Sequence, residues 1–388
     1  MGHRRIRGSW GKNPCMHAMV VFAVCFCLTA GSVRAEDCRD SLRIGVYLPM
    51  TGSVAAYGDM EWAGIRIARD MEPEALGRKV ELLLVDTKSD KIEAANAVTL
   101  LIERDKVVGI LGEAISGNTM AGNPISELAG IPSVSPSATS PLVNQGKKFA
   151  FRACFIDPFQ GQVAARFARS RLQAATAALI IDNAQDYSVG LGSFFAKQFT
   201  KDGGKIVSTA YIQTGDQDFS AQLSTLQAAN PDIIYAPNYY TESALLAKQA
   251  RDLGIRAPIL TGDGAHSDTL IRIGGNAVEG MFLTGHFHRD AAGSPRAKEF
   301  IRRFTEQYKR DPDAFAALGG DAYFLLIDAV RRAGSTDGSR IRDALASTRG
   351  LDAVSGSISM GEGGTPVKGM VINKVENGGF VYVTTIEP

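Results

Sequence analysis

Short β-branched runs alternate with amphipathic helical stretches along most of the chain. Residues 42–48, 80–85, 107–111 and 132–135 read as strands, and residues 58–70, 91–104 and 116–129 between them read as helices. Strand followed by helix, repeated, predicts a parallel sheet covered on both faces. The near-continuous apolar character of residues 43–48 and 80–85 fits strands buried on both sides.

The pattern restarts after Arg152. Strands are expected at 177–181, 205–211, 233–236, 258–261 and 278–284, with helices at 158–171, 188–202, 219–229 and 241–253. Two long helices, 294–309 and 315–333, and a shorter one, 338–346, come next. The chain ends in two β-rich runs, 369–374 and 380–385, around the turn Glu376-Asn377-Gly378-Gly379. The fold class is therefore α/β, with two doubly wound units. No floppy Pro/Ser linker separates them, and the first unit lacks helices for its other edge. The late helices are expected to cross back and complete it.

The first 35 residues differ from the rest. Arg4, Arg5, Arg7 and Lys12 precede an apolar run of 13 residues, 18–30, and Val33-Arg34-Ala35 offers small residues at the positions a signal peptidase reads. Residues 1–35 are read as a secretory signal peptide; the run is short for a membrane span. Arg4-Arg5 hints at twin-arginine export, and Glu36-Asp37 before Cys38 does not fit a lipoprotein site. A soluble periplasmic product is expected.

Cleavage there would leave 37 basic against 41 acidic residues, a net charge of about −4. No basic run remains, which argues against nucleic acid and against an anionic membrane surface. Of five cysteines, Cys38 and Cys154 would remain. An oxidising compartment permits one disulfide between them, and the sequence leaves that open.

Catalytic patterns are missing. There is no GxxxxGK[ST] loop, GxSxG elbow or HExxH pair. His286-Phe287-His288 could set two imidazoles on one strand face, but a polar strand end near a crossing is the favoured reading. No enzyme activity, metal or cofactor is expected.

Several loops carry candidate binding chemistry. Ser116 opens a helix after strand 107–111, where free N–H groups suit a carboxylate; it also reads as a plain N-cap. Ser137, Ala138 and Thr139 follow strand 132–135, at the carboxyl end where open α/β sheets bind ligands. They read equally as a Ser/Pro-rich turn.

The phrase Gly45-Val46-Tyr47-Leu48-Pro49-Met50-Thr51-Gly52, followed by Ala56-Tyr57-Gly58-Asp59-Met60-Glu61-Trp62-Ala63-Gly64, resembles the opening of the branched-chain amino acid (Leu/Ile/Val-type) periplasmic binding proteins. The similarity continues through Leu111-Gly112, Ser116 and the run from Ser133 to Pro141. It resumes at Tyr187, at Asp216-Gln217-Asp218-Phe219-Ser220 and at Tyr239-Tyr240.

The resemblance implies two Rossmann-like lobes joined by a three-crossing hinge, the type I periplasmic binding protein fold. One lobe would take 36–152 and 288–368, the other 153–287 and 369–388. It gives Thr139 the carboxylate of a ligand, the backbone carbonyl of Ser137 its ammonium, and Asp263 a charge-assisted bond to the same ammonium. Tyr187 and Tyr239 are implied contacts from the second lobe, and Tyr57 a wall of the side-chain pocket. Half-buried core tyrosines and a turn aspartate are the plainer readings.

The family often has Tyr-Asp-Ala in the late helix where this chain has Gly320-Asp321-Ala322, and the missing ring would enlarge the cleft or loosen its wall. The implied function is capture of an amino acid by lobe closure for an ABC permease in the cytoplasmic membrane. A non-amino-acid ligand such as an aromatic acid or small amide, or a sensor role, is the alternative. A monomer is expected.

Overall fold

The computed structural model describes residues 41–388. The signal-peptide reading and Cys38 lie outside the described residues. In chain order, the first elements are β1 (Leu42–Leu48), α1 (Ala55–Met71), β2 (Glu74–Ala75), β3 (Arg78–Asp86), α2 (Lys91–Glu103), β4 (Gly109–Gly112), α3 (Ser116–Ala129), β5 (Ser133–Ser135) and β6 (Ala150–Arg152). Next come α4 (Asp157–Ser170), β7 (Thr176–Asp182), α5 (Asp186–Lys201), β8 (Lys205–Ile212), α6 (Ser220–Ala229), β9 (Ile233–Tyr235), α7 (Tyr240–Asp252), β10 (Ile259–Thr261), α8 (Asp268–Gly274) and β11 (Phe282–Gly285). The last are α9 (Pro295–Tyr308), α10 (Ala314–Ala333), α11 (Gly338–Ala346), β12 (Leu351–Ala353), β13 (Gly356–Met360), β14 (Pro366–Val367), β15 (Met370–Glu376) and β16 (Gly379–Ile386).

Two large sheets organise the molecule. The first runs β2-β3-β1-β4-β5-β6, parallel except for the short β2 edge. The second runs β16-β15-β11-β10-β9-β7-β8. Strands β11-β10-β9-β7-β8 are parallel, and the terminal hairpin β15–β16 is added antiparallel to β11. Chain order reverses beside β1 in one sheet and beside β7 in the other. Such switch points open a crevice at the strands' carboxyl ends.

The chain crosses between the sheets three times: after β6, after β11 and before β15. The late helices return to the first sheet as expected. Helix α10 packs along α1, and its inner residues from Ala314 to Leu326 are buried almost without interruption. Small residues allow that approach. A Cβ on Gly64 would lie 1.9 Å from the Ala316 carbonyl oxygen, and one on Gly319 would lie 2.3 Å from that of Glu61. This is the type I periplasmic binding protein fold: two Rossmann-like units joined by a three-crossing hinge.

Local signals explain most boundaries. Asp90, Ser294, Asp313 and Asp337 accept N–H bonds from the first turns of α2, α9, α10 and α11. The hairpin turns at Asn377-Gly378, both with positive φ, and Glu279 accepts both backbone N–H groups at 3.0 and 2.7 Å.

Three differences from the sequence reading have physical causes. The strand expected at 278–284 begins only at Phe282, because residues Gly275–Val278 form a 3-10 turn and Gly280 takes φ +80°. Strand β6 and the small sheet β12-β13-β14 are too short to show a period. Helix α8 has only seven residues, two turns that leave no face to recognise.

Replacing Gly64 by Ala should separate α1 from α10 at a cost of about 2 kcal/mol, the usual range for overpacking. The purified protein should then melt several degrees lower. An unchanged midpoint would mean that the helices do not touch there.

Candidate ligand-binding site

The carboxyl ends of both sheets face one narrow cleft. Tyr57, Ser116, Ser137, Thr139, Tyr187, Tyr239 and Asp263 all line it, with Ala114, Ile115, Gly264 and Phe315. Ala138 does not. Its N–H donates to Ser135 Oγ (3.1 Å) and its carbonyl accepts from Arg152 Nη1 (2.6 Å), so it braces the loop from behind. A larger cavity of about 310 Å³ lies against the second and third crossings, away from the switch points.

One wall presents the open start of a helix. Ser116 is the first residue of α3, so it stands among N–H groups that have no acceptor within the helix. Its hydroxyl accepts the Ser140 N–H at 3.1 Å, which ties the loop after β4 to the loop after β5. Thr139 sits on that second loop, and its carbonyl accepts the Asp157 N–H at 3.0 Å.

Beneath this wall lies a buried polar ring. Glu113 accepts from the Thr87 hydroxyl (2.6 Å), the Ile115 N–H (2.8 Å) and Asn118 Nδ2 (3.0 Å). Burial pushes its carboxyl up to about 7 against the pull of those donors. Ser137 Oγ lies within bonding distance of both Glu61 and the Ala114 carbonyl, the latter at 2.8 Å. Burial drives the Glu61 carboxyl well above the usual range, against the pull of the Ser137 hydroxyl. Glu61 thereby fixes the loop that carries the Ser137 carbonyl. Sequence reading passed over it, although Tyr57, Glu61, Gly64 and Ala68 share one helical face and a lone acid there is a signal.

The opposite wall centres on Asp263. Its Oδ1 accepts from Gln160 Nε2 (2.8 Å) and the Tyr187 hydroxyl (3.0 Å), and its Oδ2 meets His286 Nε2 at 2.9 Å. Burial lowers the His286 pKa against the opposing pull of Asp263. His286 therefore serves here as a neutral partner to Asp263, while His288 bonds the Phe380 carbonyl at 3.2 Å. Among the described residues no His/Cys/Asp/Glu group is arranged to hold a metal ion. Asp157, also fully buried, has its carboxyl held well above the usual range by burial and by Asp263, with Thr139 and Arg152 pulling the other way.

Aromatic rings close the remaining side. Tyr57 stacks on Phe315 (4.2 Å between centroids) and meets Tyr239 edge-on (5.7 Å), and Tyr239 stacks on Tyr187 (5.4 Å). The Tyr57 hydroxyl donates to the Gly264 carbonyl, and Tyr240 donates to the Ser53 carbonyl at 3.0 Å. Both bonds join the first sheet's loops directly to the second's. Phe315, in the first turn of α10, gave no sequence signal beyond an apolar helix start.

Gly320 corrects an expectation. A Cβ there would lie 2.7 Å from the Phe300 ring and 3.3 Å from Val354, inside the packing of the late helices and not on the cavity wall. The missing ring does not enlarge the cleft. Asp321 beside it accepts the Val354 N–H at 2.6 Å. Cys154 is a free, buried thiol that burial pushes up to about 12, and it lies 3.4 Å from the Ala138 carbonyl.

A model of the periplasmic binding protein family matches residues 41–379. The leucine-binding protein LivK of Thermotoga maritima superposes with a TM-score of 0.88 at 47% identity, over 89% of this chain and 99% of that one. The branched-chain substrate-binding protein LivJ of Streptococcus pneumoniae, solved with isoleucine, gives 0.85 at 30% identity, over 90% of this chain and 100% of that one. A leucine-, isoleucine-, valine-, threonine- and alanine-binding protein of Pseudomonas aeruginosa is 29% identical over 81% of this chain and 85% of its own length. With that match spanning the fold from β1 to the terminal hairpin, the chain belongs to the periplasmic binding protein family.

Proposed function

We propose that this protein captures a small amino acid by closing its two lobes and hands it to an ABC permease in the cytoplasmic membrane. The observation that carries this reading is the pairing of opposite chemistries across one cavity. The open start of α3, with Ser116 and Thr139, faces Asp263 from the other sheet. An α-amino acid presents a carboxylate and an ammonium on one carbon, and so satisfies both walls at once. The ammonium would lie between the Ser137 carbonyl and Asp263, and the side chain would lie against Tyr57, Tyr239 and Phe315. Neither wall supplies a nucleophile with a base and an orienting partner, so binding without turnover is the role that fits.

The lobes in this reading are residues 36–152 with 288–368, and residues 153–287 with 369–388. Residues 1–35 would direct export to the periplasm. The names of relatives that bind leucine, isoleucine and valine support the ligand class. The same fold also holds benzoate in a solute-binding protein of Rhodopseudomonas palustris, at 24% identity and a TM-score of 0.81. That ligand lacks an ammonium, so Asp263 separates the two ligand classes.

Purified mature protein should gain several degrees of melting temperature with at least one amino acid from a panel of twenty, as binding to the native state alone requires. A flat response across the panel would sink the amino-acid reading. Asp263→Ala should weaken that ligand by about 2 kcal/mol or more in calorimetric titration. A ligand that binds the variant as well as the parent would be one without an ammonium. Phe315→Ala should open the aromatic wall and improve binding of larger side chains relative to smaller ones, read from the order of affinities across the same panel.

A further inference from the structure

Three chain crossings connect the sheets, and two of them meet Asp263 through a single side chain. We infer that His286 is a positioning residue that holds Asp263 for the ligand's ammonium and ties that grip to the hinge. This deepens the reading above and rests on it.

The geometry is as follows. His286 directly follows β11, at the start of the second crossing. Its ring stacks on Phe155, in the first crossing, with centroids 3.8 Å apart and planes 25° apart. Its Nε2 reaches Asp263 Oδ2 at 2.9 Å, and both side chains are almost fully buried. The third crossing joins the same cluster. Lys368 Nζ donates to the Ala153 carbonyl at 3.1 Å, two residues from Phe155, and lies 3.6 Å from Asp321 of α10.

Hydrogen-bond capacity fixes the protonation pattern. An ionised carboxylate only accepts, so the nitrogen facing Asp263 carries the proton. Nδ1 has no hydrogen-bond partner among the described residues, so the lone pair is assigned there. Asp263 has room for about four donors. Gln160, Tyr187 and His286 fill three of these places, and one remains for the ammonium. The three donors come from α4, α5 and the end of β11, so the carboxylate cannot turn without disturbing either a crossing or an element that follows one. Without the His286 donor, Oδ2 is left buried and unmatched, a costly state for a charged acceptor.

A purely structural role for His286 would rest on the stacking with Phe155, and the two roles separate experimentally. His286→Phe keeps a ring of similar shape and removes the N–H. Its effect on amino-acid affinity is measured in the parent and in the Asp263→Asn background. Positioning through Asp263 predicts a loss of about tenfold or more in the parent, the worth of one hydrogen bond to a charged acceptor. In the Asp263→Asn background the loss should shrink to within about threefold, the coupling that a double-mutant cycle isolates. Equal losses in both backgrounds, or no loss in the parent, would overturn the inference.

A second measurement needs no variant. Nitrogen-15 NMR of histidine-labelled parent protein should show a neutral His286 with the proton on Nε2 and a bare Nδ1. The opposite tautomer, or a charged ring at neutral pH, also overturns it. Because this reading does not need ligand, it stands or falls separately from the amino-acid assignment, which the melting panel decides.

Discussion

A buried carboxylate must be surrounded by donors or lose its charge. Asp263 meets that demand with Gln160, Tyr187 and His286, and much of the second sheet's edge is arranged to deliver them. Gln160 comes from the helix entered by the first crossing. Tyr187 comes from the first turn of α5, after β7. His286 comes from the exit of β11. The three meet because the carboxyl ends of β7, β10 and β11 point the same way in a parallel sheet. The opposite wall answers with N–H groups at the start of α3, the complement that a zwitterion needs.

Much of this arrangement could be read along the chain. Strand 42–48 and helix 116–129 have the same limits in the sequence reading and in the structure, because a nearly continuous apolar run and a Gly130 stop in the αL region are strong local signals. Seven of the eight residues named from sequence line one cleft: Ser116, Ser137 and Thr139 because they sit at strand ends, and Tyr57, Tyr187, Tyr239 and Asp263 through the family resemblance. What stayed hidden depends on contacts distant in sequence. Phe315 matters because α10 returns to α1. His286 matters because β11 lies beside β10. Neither fact has a local pattern. Ala138 and Gly320 were misplaced for the converse reason: position in a motif says which loop or helix a residue occupies, not which way it faces.

The late return of α9 to α11 also bears on the site. The Gly64–Ala316 and Glu61–Gly319 contacts lock α1 to α10 at backbone distance. One face of α1 carries Tyr57 and Glu61, and the first turn of α10 carries Phe315. The aromatic wall and the support of the Ser137 loop therefore move as one body with the first sheet. A ligand touching Tyr57 feels a rigid surface assembled from two distant parts of the chain.

Closure is not left to the ligand alone. The Tyr57 hydroxyl reaches the Gly264 carbonyl, Tyr240 reaches the Ser53 carbonyl, and Lys91 pairs with Asp186 at 3.1 Å. Each contact links the two sheets' ends directly. The exposed Lys91–Asp186 pair contributes little. The two tyrosine bonds, with Tyr57 buried against Tyr239 and Tyr240, offset part of the cost of shutting the cleft. A ligand can shift the open–closed balance only by its extra affinity for the closed form. Contacts that already favour closure reduce the shift the ligand must supply, so more of its intrinsic affinity is expressed as observed affinity. They also set a limit. If the direct contacts alone held the cleft shut, ligand entry and release would both be slow. Among the described residues, the bonds of Tyr57 to Gly264 and of Tyr240 to Ser53 and Ala56 bridge the mouth, whereas the larger polar networks remain within each wall. The division fits a cleft in which binding energy, rather than protein–protein contact, decides how long it stays closed.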